Sequence, residues 1–194
     1  MKAYTHPTAI VEAGVTLKED VKIWHFCHVR SGAVLQSGVS LAKDVFVDCD
    51  VQLGQGTRVQ NGVSIYKGVK IKDWCFIGPH VIFTNDMYPR AGNKNWNIVE
   101  TILNTGCSIG AGAIIRCGIE LGSFSMIAAG SVVTKSVPPF HLAMGLPAKL
   151  KKMICACGQT QLPLKTPRKK LLRACCEVNL NKNLIEVAKK LTRK

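Results

Sequence analysis

The chain has 194 residues, 26 Lys+Arg against 12 Asp+Glu for a net charge of +14, with 47% hydrophobic and 6% aromatic residues. That composition excludes a disordered segment, and no apolar run approaches the ~18 residues a membrane span requires. Residues 1–10 lack a signal-like charged start and apolar stretch, so a soluble cytoplasmic protein is expected, and the nine cysteines read as reduced thiols or a metal site rather than a disulfide framework.

Charge divides the chain into two parts. Residues 1–148 hold 13 Lys+Arg and 10 Asp+Glu, whereas residues 149–194 hold 13 and 2. The expected domains are therefore a nearly balanced body over 1–148 and a basic, Cys-containing, partly helical tail over 149–194.

From Val11 the body places an apolar residue at every sixth position through Leu17, Ile23, Val29, Leu35, Leu41, Val47, Leu53, Val59, Ile65, Ile71 and Ile77 to Phe83. Four residues after each up to Ile77 comes a small or β-branched residue, as at Val15, Cys27, Ala33 and Thr57. The frame breaks, then resumes at Leu103 and runs through Ile109, Ile115, Leu121 and Ile127 to Val133, for 19 hexapeptides in all. A period of six contradicts a helix and suits a parallel β-solenoid, three hexapeptides to a triangular coil and about six coils in total. Glycines such as Gly32, Gly38, Gly62 and Gly110 fit turns where backbone strain excludes larger residues.

The break, residues 84–102, reads TNDMYPRAGNKNWNIVETI, and Pro89 and Gly92 prevent a continued strand. An insertion in a solenoid leaves as an outward loop, which makes this one the candidate site. After it come GCSIGAGAIIRCGI over 106–119 and AAGSVVTKSVPPFHLAMGLPAK over 128–149. In the tail, Leu180, Leu184, Val187 and Leu191 recur at helical spacing, predicting a short amphipathic helix. Cys155, Cys157, Cys175 and Cys176 suggest a zinc site, but their spacing matches paired C-x-x-C arms poorly, so free thiols are the leading expectation there and no metal site is assigned.

The repeat and the 128–149 motif resemble the left-handed β-helix of the hexapeptide-repeat acyltransferases over residues 5–150. IWHFCHVRSGA (23–33), VQNGVSIYKGV (59–69) and FTNDMYPR (83–90) are similar to a narrower family, the N-acyltransferases of nucleotide-linked amino sugars. The resemblance implies an all-β, left-handed parallel β-helix with one protruding loop and a short C-terminal α-helical tail. It also implies a homotrimer with acetyl-CoA along the groove between neighbouring solenoids, and an enzyme that acetylates the amino group of a UDP- or dTDP-linked amino sugar.

Acyl transfer needs a positioned nucleophile, a donor for the developing oxyanion and a proton acceptor. Sugar-hydroxyl acetyltransferases of this fold carry a histidine in the equivalent loop, and here Thr84, Asn85, Asp86, Met87 and Tyr88 stand instead. An amine with a pKa of about 8 is already partly unprotonated at neutral pH, so direct attack on the thioester dispenses with a strong base. Asn85 is the first candidate, placed beside the reacting nitrogen by the resemblance, with Asp86 and Glu100 as carboxylates that hold the amine or relay its proton. Arg30, Asn61, Tyr66, Lys67, Thr84 and Arg90 are the substrate-binding candidates. Gly110, Ala111, Ala128 and Ala129 are candidates for the pantetheine arm, and Lys135 and Lys149 for the adenosine phosphates. In the exit motif Leu146 stands where the family usually has asparagine. His25, His28 and His80 are weighed as bases or ligands, the fold also hosting zinc carbonic anhydrases, but their spacing does not support a metal.

The competing reading is a trimeric β-solenoid binding module whose basic tail grips nucleic acid or an anionic surface. The tail contains no Phe, Tyr or Trp for base stacking, so nucleic acid is not the expected partner.

Overall fold

A computed structural model describes residues 2–193. Twenty short strands, from Tyr4–Thr5 to Val132–Val133, wind into a left-handed parallel β-helix. They stack into three flat faces of seven, seven and six strands, and the first face is extended by the tail to ten. The first strand lies one rung before the predicted frame, because Thr5 is polar and exposed and carries no hydrophobic signal.

Pairing follows from the period. Ile23 pairs with Leu41, Val29 with Val47 and Leu17 with Leu35, each three hexapeptides apart. Across the insertion the step lengthens, with Val69 opposite Thr101 and Ile77 opposite Ile109. The strand Thr101–Leu103 resumes at a buried threonine, one residue before the predicted end of the loop, so the protrusion spans residues 84–100. The large aliphatics at every sixth position fill the interior. Leu35, Leu41, Leu53, Ile65, Leu103 and Leu121 are completely buried, with Ala33, Val39, Val63 and Cys107 in the narrower corners between them. Each such aliphatic removes apolar surface worth about 1.5–3 kcal/mol from water.

Corner backbone differs from the expectation. Eight corner residues with positive φ are not glycine, among them Asp44, Asp50, Trp74, His80, Phe124 and Phe140. Asp tolerates this region through its short polar side chain, and Trp74, Phe124 and Phe140 offset the strain by packing into one apolar cluster. At Gly110 the requirement is space rather than φ, since a Cβ would lie 2.5 Å from the Ala129 backbone nitrogen on the next coil.

The outward side chains distinguish the faces. On the second face they are His28, Phe46, Ser64 and the aliphatics Ile10, Ile82, Ile114 and Val132, with Ile10 60% and Ile82 51% exposed. This apolar face is flanked by two edges that carry the candidate site residues.

The charge boundary at 148/149 falls at the turn of an antiparallel hairpin. The strand His141–Gly145 adds to the first face and pairs with Ala148–Ile154, which pairs in turn with Gln161–Leu162. Helix α1 (Ala174–Asn179) and helix α2 (Lys182–Thr192) follow. The expected amphipathic helix is α2. Leu180 lies before it, and Asn181 caps it by accepting the Leu184 amide at 2.9 Å. Leu184 and Ala188 join Phe124, Phe140, Met153, Leu171 and Cys176 in a second apolar cluster against the edge between the third and first faces. Among the described residues no helix is long and apolar enough to cross a membrane.

Candidate active site

The loop leaves the edge between the second and third faces. One register position on that edge carries Glu12, Arg30, Asp48, Tyr66, Thr84 and Arg116 up successive coils. A charged ladder forms at its foot. An Arg30 guanidinium nitrogen donates to Asp48 Oδ1 at 2.8 Å, and Glu12 Oε1 lies 2.8 Å from His28 Nε2. Hydrogen bonding and charge from Asp48 hold the Arg30 guanidinium above its ordinary value. Burial would raise the Asp48 carboxyl, but donation from the Lys67 and Cys49 amides and from Arg30 outweighs it and keeps the carboxyl below the ordinary range.

A carboxyl depressed in the folded state stabilises the fold above its unfolded pKa of about 3.9, and that contribution is lost as pH falls through the lower folded value. The thermal midpoint should therefore fall between about pH 5 and about pH 3, and fall less steeply in Asp48→Asn. Equal slopes in the two proteins would contradict this role for Asp48.

One step further along the corner, Lys67 and Asn85 lie on successive coils. The Asn85 side-chain amide donates to the Lys67 carbonyl at 3.2 Å, and the Asn85 carbonyl accepts the Val99 amide at 2.9 Å. Asn85 thereby fastens the outgoing strand of the loop to the column and to the returning strand. Lys67 Nζ is 2.7 Å from Asp50 Oδ2, which raises the lysine above its ordinary value. Thr84 Oγ1 accepts the Cys117 amide at 2.9 Å.

The other loop candidates are placed differently. Asp86 accepts the Tyr88 amide at 2.8 Å and closes a turn. Glu100 is exposed and pairs with Lys70 at 2.7 Å. Together with Lys67, Asp50 and Ile98 it lines a groove of about 700 Å³ beside the loop. Arg90 is exposed, and its carbonyl accepts the Asn93 amide. The structure thus gathers Arg30, Tyr66, Lys67, Thr84 and Asn85 on one edge. Asn61 is elsewhere: it sits on the edge between the first and second faces, its Oδ1 accepting the Lys43 amide at 3.1 Å.

That other edge carries the small residues. Gly78, Gly110 and Ala128 share a register, followed by Pro79, Ala111 and Ala129. The Gly78, Gly110 and Ala128 amides donate to the Ile109, Ile127 and Ala143 carbonyls, and the Ala111 carbonyl accepts the Gly130 amide. The space a Cβ would take at Gly110 is filled by the Ala129 backbone, so the room for a ligand on this edge lies at Ala128 and Ala129. Ala128, Ala129, Leu146, Pro147 and Lys149 line a groove of about 490 Å³, while Lys135 is exposed outside it. Within one chain the loop set and the small-residue set therefore flank the apolar second face without sharing a groove.

The histidines do not converge. The His25 ring lies tilted against His6 with centroids 3.5 Å apart, His28 pairs with Glu12, and His80 lies over Gly62. The tail cysteines depart from the expectation based on spacing, since Cys155, Cys157, Cys175 and Cys176 bring their sulfurs within 4.8 Å of one another. The Glu12–Arg30–Asp48 ladder is the feature that residue-type reasoning passed over, and its signal was the 18-residue recurrence along one corner.

Residues 50–85 match the family model described as bacterial transferase hexapeptide (six repeats), and residues 102–135 match that of the hexapeptide repeat of succinyl-transferase. Over 58 residues the chain is 45% identical to a dTDP-3-amino-3,6-dideoxy-alpha-D-galactopyranose 3-N-acetyltransferase of Aneurinibacillus thermoaerophilus, covering 30% of either chain. It is 36% identical over 85 residues to a serine acetyltransferase of Buchnera aphidicola, covering 40% of this chain and 33% of the relative. A solved structure of PerB from Caulobacter crescentus, in complex with CoA and GDP-perosamine, matches with a TM-score of 0.49 and 22% identity over 77% of this chain and 56% of that one. The chain spans about a third of the length of the curated relatives it matches.

Proposed function

We propose that this hexapeptide-repeat chain is an acetyl-CoA-dependent N-acetyltransferase acting on the amino group of a nucleotide-linked amino sugar, with dTDP favoured over UDP. The single observation that carries the reading is the loop edge, where Asn85 is fixed between Lys67 and Val99 and no histidine is present in residues 84–100. The 45% identity to an N-acetyltransferase of a dTDP-linked amino sugar supports the substrate class.

The apolar second face supports a homotrimer. Burying Ile10, Ile82, Ile114 and Val132 between copies would carry the loop edge of one chain toward the small-residue edge of the next. In that assembly the pantetheine arm lies along Gly110, Ala111, Ala128 and Ala129, with Lys149 facing the adenosine phosphates. Arg30, Tyr66 and Lys67 receive the nucleotide, and Tyr88 and Trp96, 78% and 49% exposed, offer rings to cover it. The sugar amine, with a pKa of about 8, attacks the thioester carbonyl as the free base. Asn85 orients it, and the departing CoA thiolate takes up the proton as the C–S bond breaks.

The test is thiol release from acetyl-CoA by the purified full chain against a panel of dTDP- and UDP-linked amino sugars. Turnover with an amino acceptor supports the reading, and turnover only with hydroxyl acceptors overturns it. Lys149→Ala should raise KM for acetyl-CoA about five-fold, a loss of roughly 1 kcal/mol, and leave kcat nearly unchanged. An unchanged KM would remove Lys149 from the coenzyme site.

A further inference from the structure

We infer that the C-terminal tail holds a structural zinc ion on four thiolates, those of Cys155, Cys157, Cys175 and Cys176. Cys155 and Cys157 follow the strand Ala148–Ile154, whereas Cys175 and Cys176 lie in α1. Chain segments nearly 20 residues apart thus converge, and all four sulfurs fall within 4.8 Å of one another. The Sγ–Sγ separations are 3.4 Å for Cys155–Cys157, 3.8 Å for Cys155–Cys175 and 3.6 Å for Cys157–Cys175.

These distances identify the chemistry. Zinc binds thiolates at about 2.3 Å in a tetrahedron, whose sulfur–sulfur edge is then about 3.8 Å. A disulfide would require about 2.05 Å, so the four are arranged as thiols around a common centre. A donor set of four sulfurs with no carboxylate or imidazole selects zinc over magnesium or calcium, and four protein ligands close the shell as structural sites do.

The surroundings fit a ligand turn. The Thr160 amide donates to Cys155 Sγ at 3.2 Å, and Gly158, at φ +79°, turns the chain so that its amide reaches the Cys155 carbonyl at 2.8 Å. Donation to a ligating sulfur is the outer support that metal thiolates use. The column cysteines behave otherwise: Cys27, Cys75 and Cys107 fill buried corners of the repeat, and of these Cys75 and Cys107 approach each other as a pair, at 3.6 Å. Poor spacing in the sequence is no obstacle, because Cys155 and Cys157 already lie near one tetrahedral edge.

The ion would clip α1, six residues long, to the strand that leaves the column. Helices this short do not persist alone in water, so the clip supplies what local propensity lacks.

The test measures metal in the full chain purified under reductant, without added chelator. About one zinc per chain is expected, surviving gel filtration and released by a mercurial thiol reagent. After exchange into cobalt(II), the visible spectrum should show the intense d–d bands and thiolate charge transfer of four sulfur ligands. Cys175→Ser should weaken cobalt binding at least ten-fold, whereas Cys49→Ser on the column should leave it unchanged. Removing zinc should raise hydrogen exchange in residues 155–192 and leave the rungs protected. Metal-free protein that takes up cobalt without thiolate charge transfer would overturn the site, and a three-sulfur spectrum would overturn the assignment of Cys176. If the variant fails to fold, the cobalt spectrum of the unmodified chain decides alone.

Discussion

Asn85→Ala is expected to lower acyl-transfer turnover about 10²-fold while the β-helix and its assembly stay intact. The side chain has two roles in the proposed reaction, and alanine removes both. Its amide nitrogen ties the start of the loop to the Lys67 carbonyl, and its carboxamide is the polar group offered to the sugar amine at the same point. Because the amine needs orientation more than deprotonation, the loss should fall mainly on kcat, with a smaller change in KM for the nucleotide sugar. The column does not depend on this contact, since the rungs on either side, Phe83 and Leu103, are buried in the core independently. Thiol release and the circular dichroism melt together read the result. Wild-type turnover would remove Asn85 from the site, and collapse of the fold would reassign it to structure.

Ile82→Glu is expected to dissociate the proposed trimer and reduce turnover more than 100-fold. Ile82 is the outward residue on the fifth of the seven strands of the second face and is 51% exposed in the single chain. Threefold symmetry would bury three carboxylates close together, at several kcal/mol per uncompensated charge, while an exposed glutamate costs a lone chain almost nothing. The fold should therefore melt near the wild-type temperature as a monomer. Light scattering with size-exclusion chromatography measures the mass, and the thiol assay measures the activity. A trimer that persists in the Ile82→Glu protein would show that the apolar face lies outside the interface.

Much of the column was legible because a solenoid maps sequence onto space almost linearly. Residues six apart take the same place on successive faces, and residues 18 apart stack on the same face, so Ile23, Leu41 and Val59 announce their contacts directly. The pattern fails where polarity hides a rung, as at Thr5, which pairs as a strand without an apolar signal. Corner strain was misjudged at Trp74, Phe124 and Phe140, because their compensation comes from the tail, which the repeat does not encode. For the site, the same counting could have separated Asn61 from Tyr66 and Lys67, since five and six residues carry the chain across a face to the next edge. The four tail cysteines stood out as a possible ligand set, but the spacing argued for free thiols, because their convergence depends on how the hairpin and α1 pack.

The stacked rings of Phe124 and Phe140, 5.2 Å apart and 9° from parallel, are buried in one cluster with Leu171, Leu184 and Ala188 of the tail. Cutting the chain after His141–Gly145 to obtain a minimal catalyst would strip that cover and open the pairing edge of this strand at the same end. The shortened protein would present a greasy, unsealed terminus to its neighbours, and its first symptom would be stickiness in solution rather than lost chemistry.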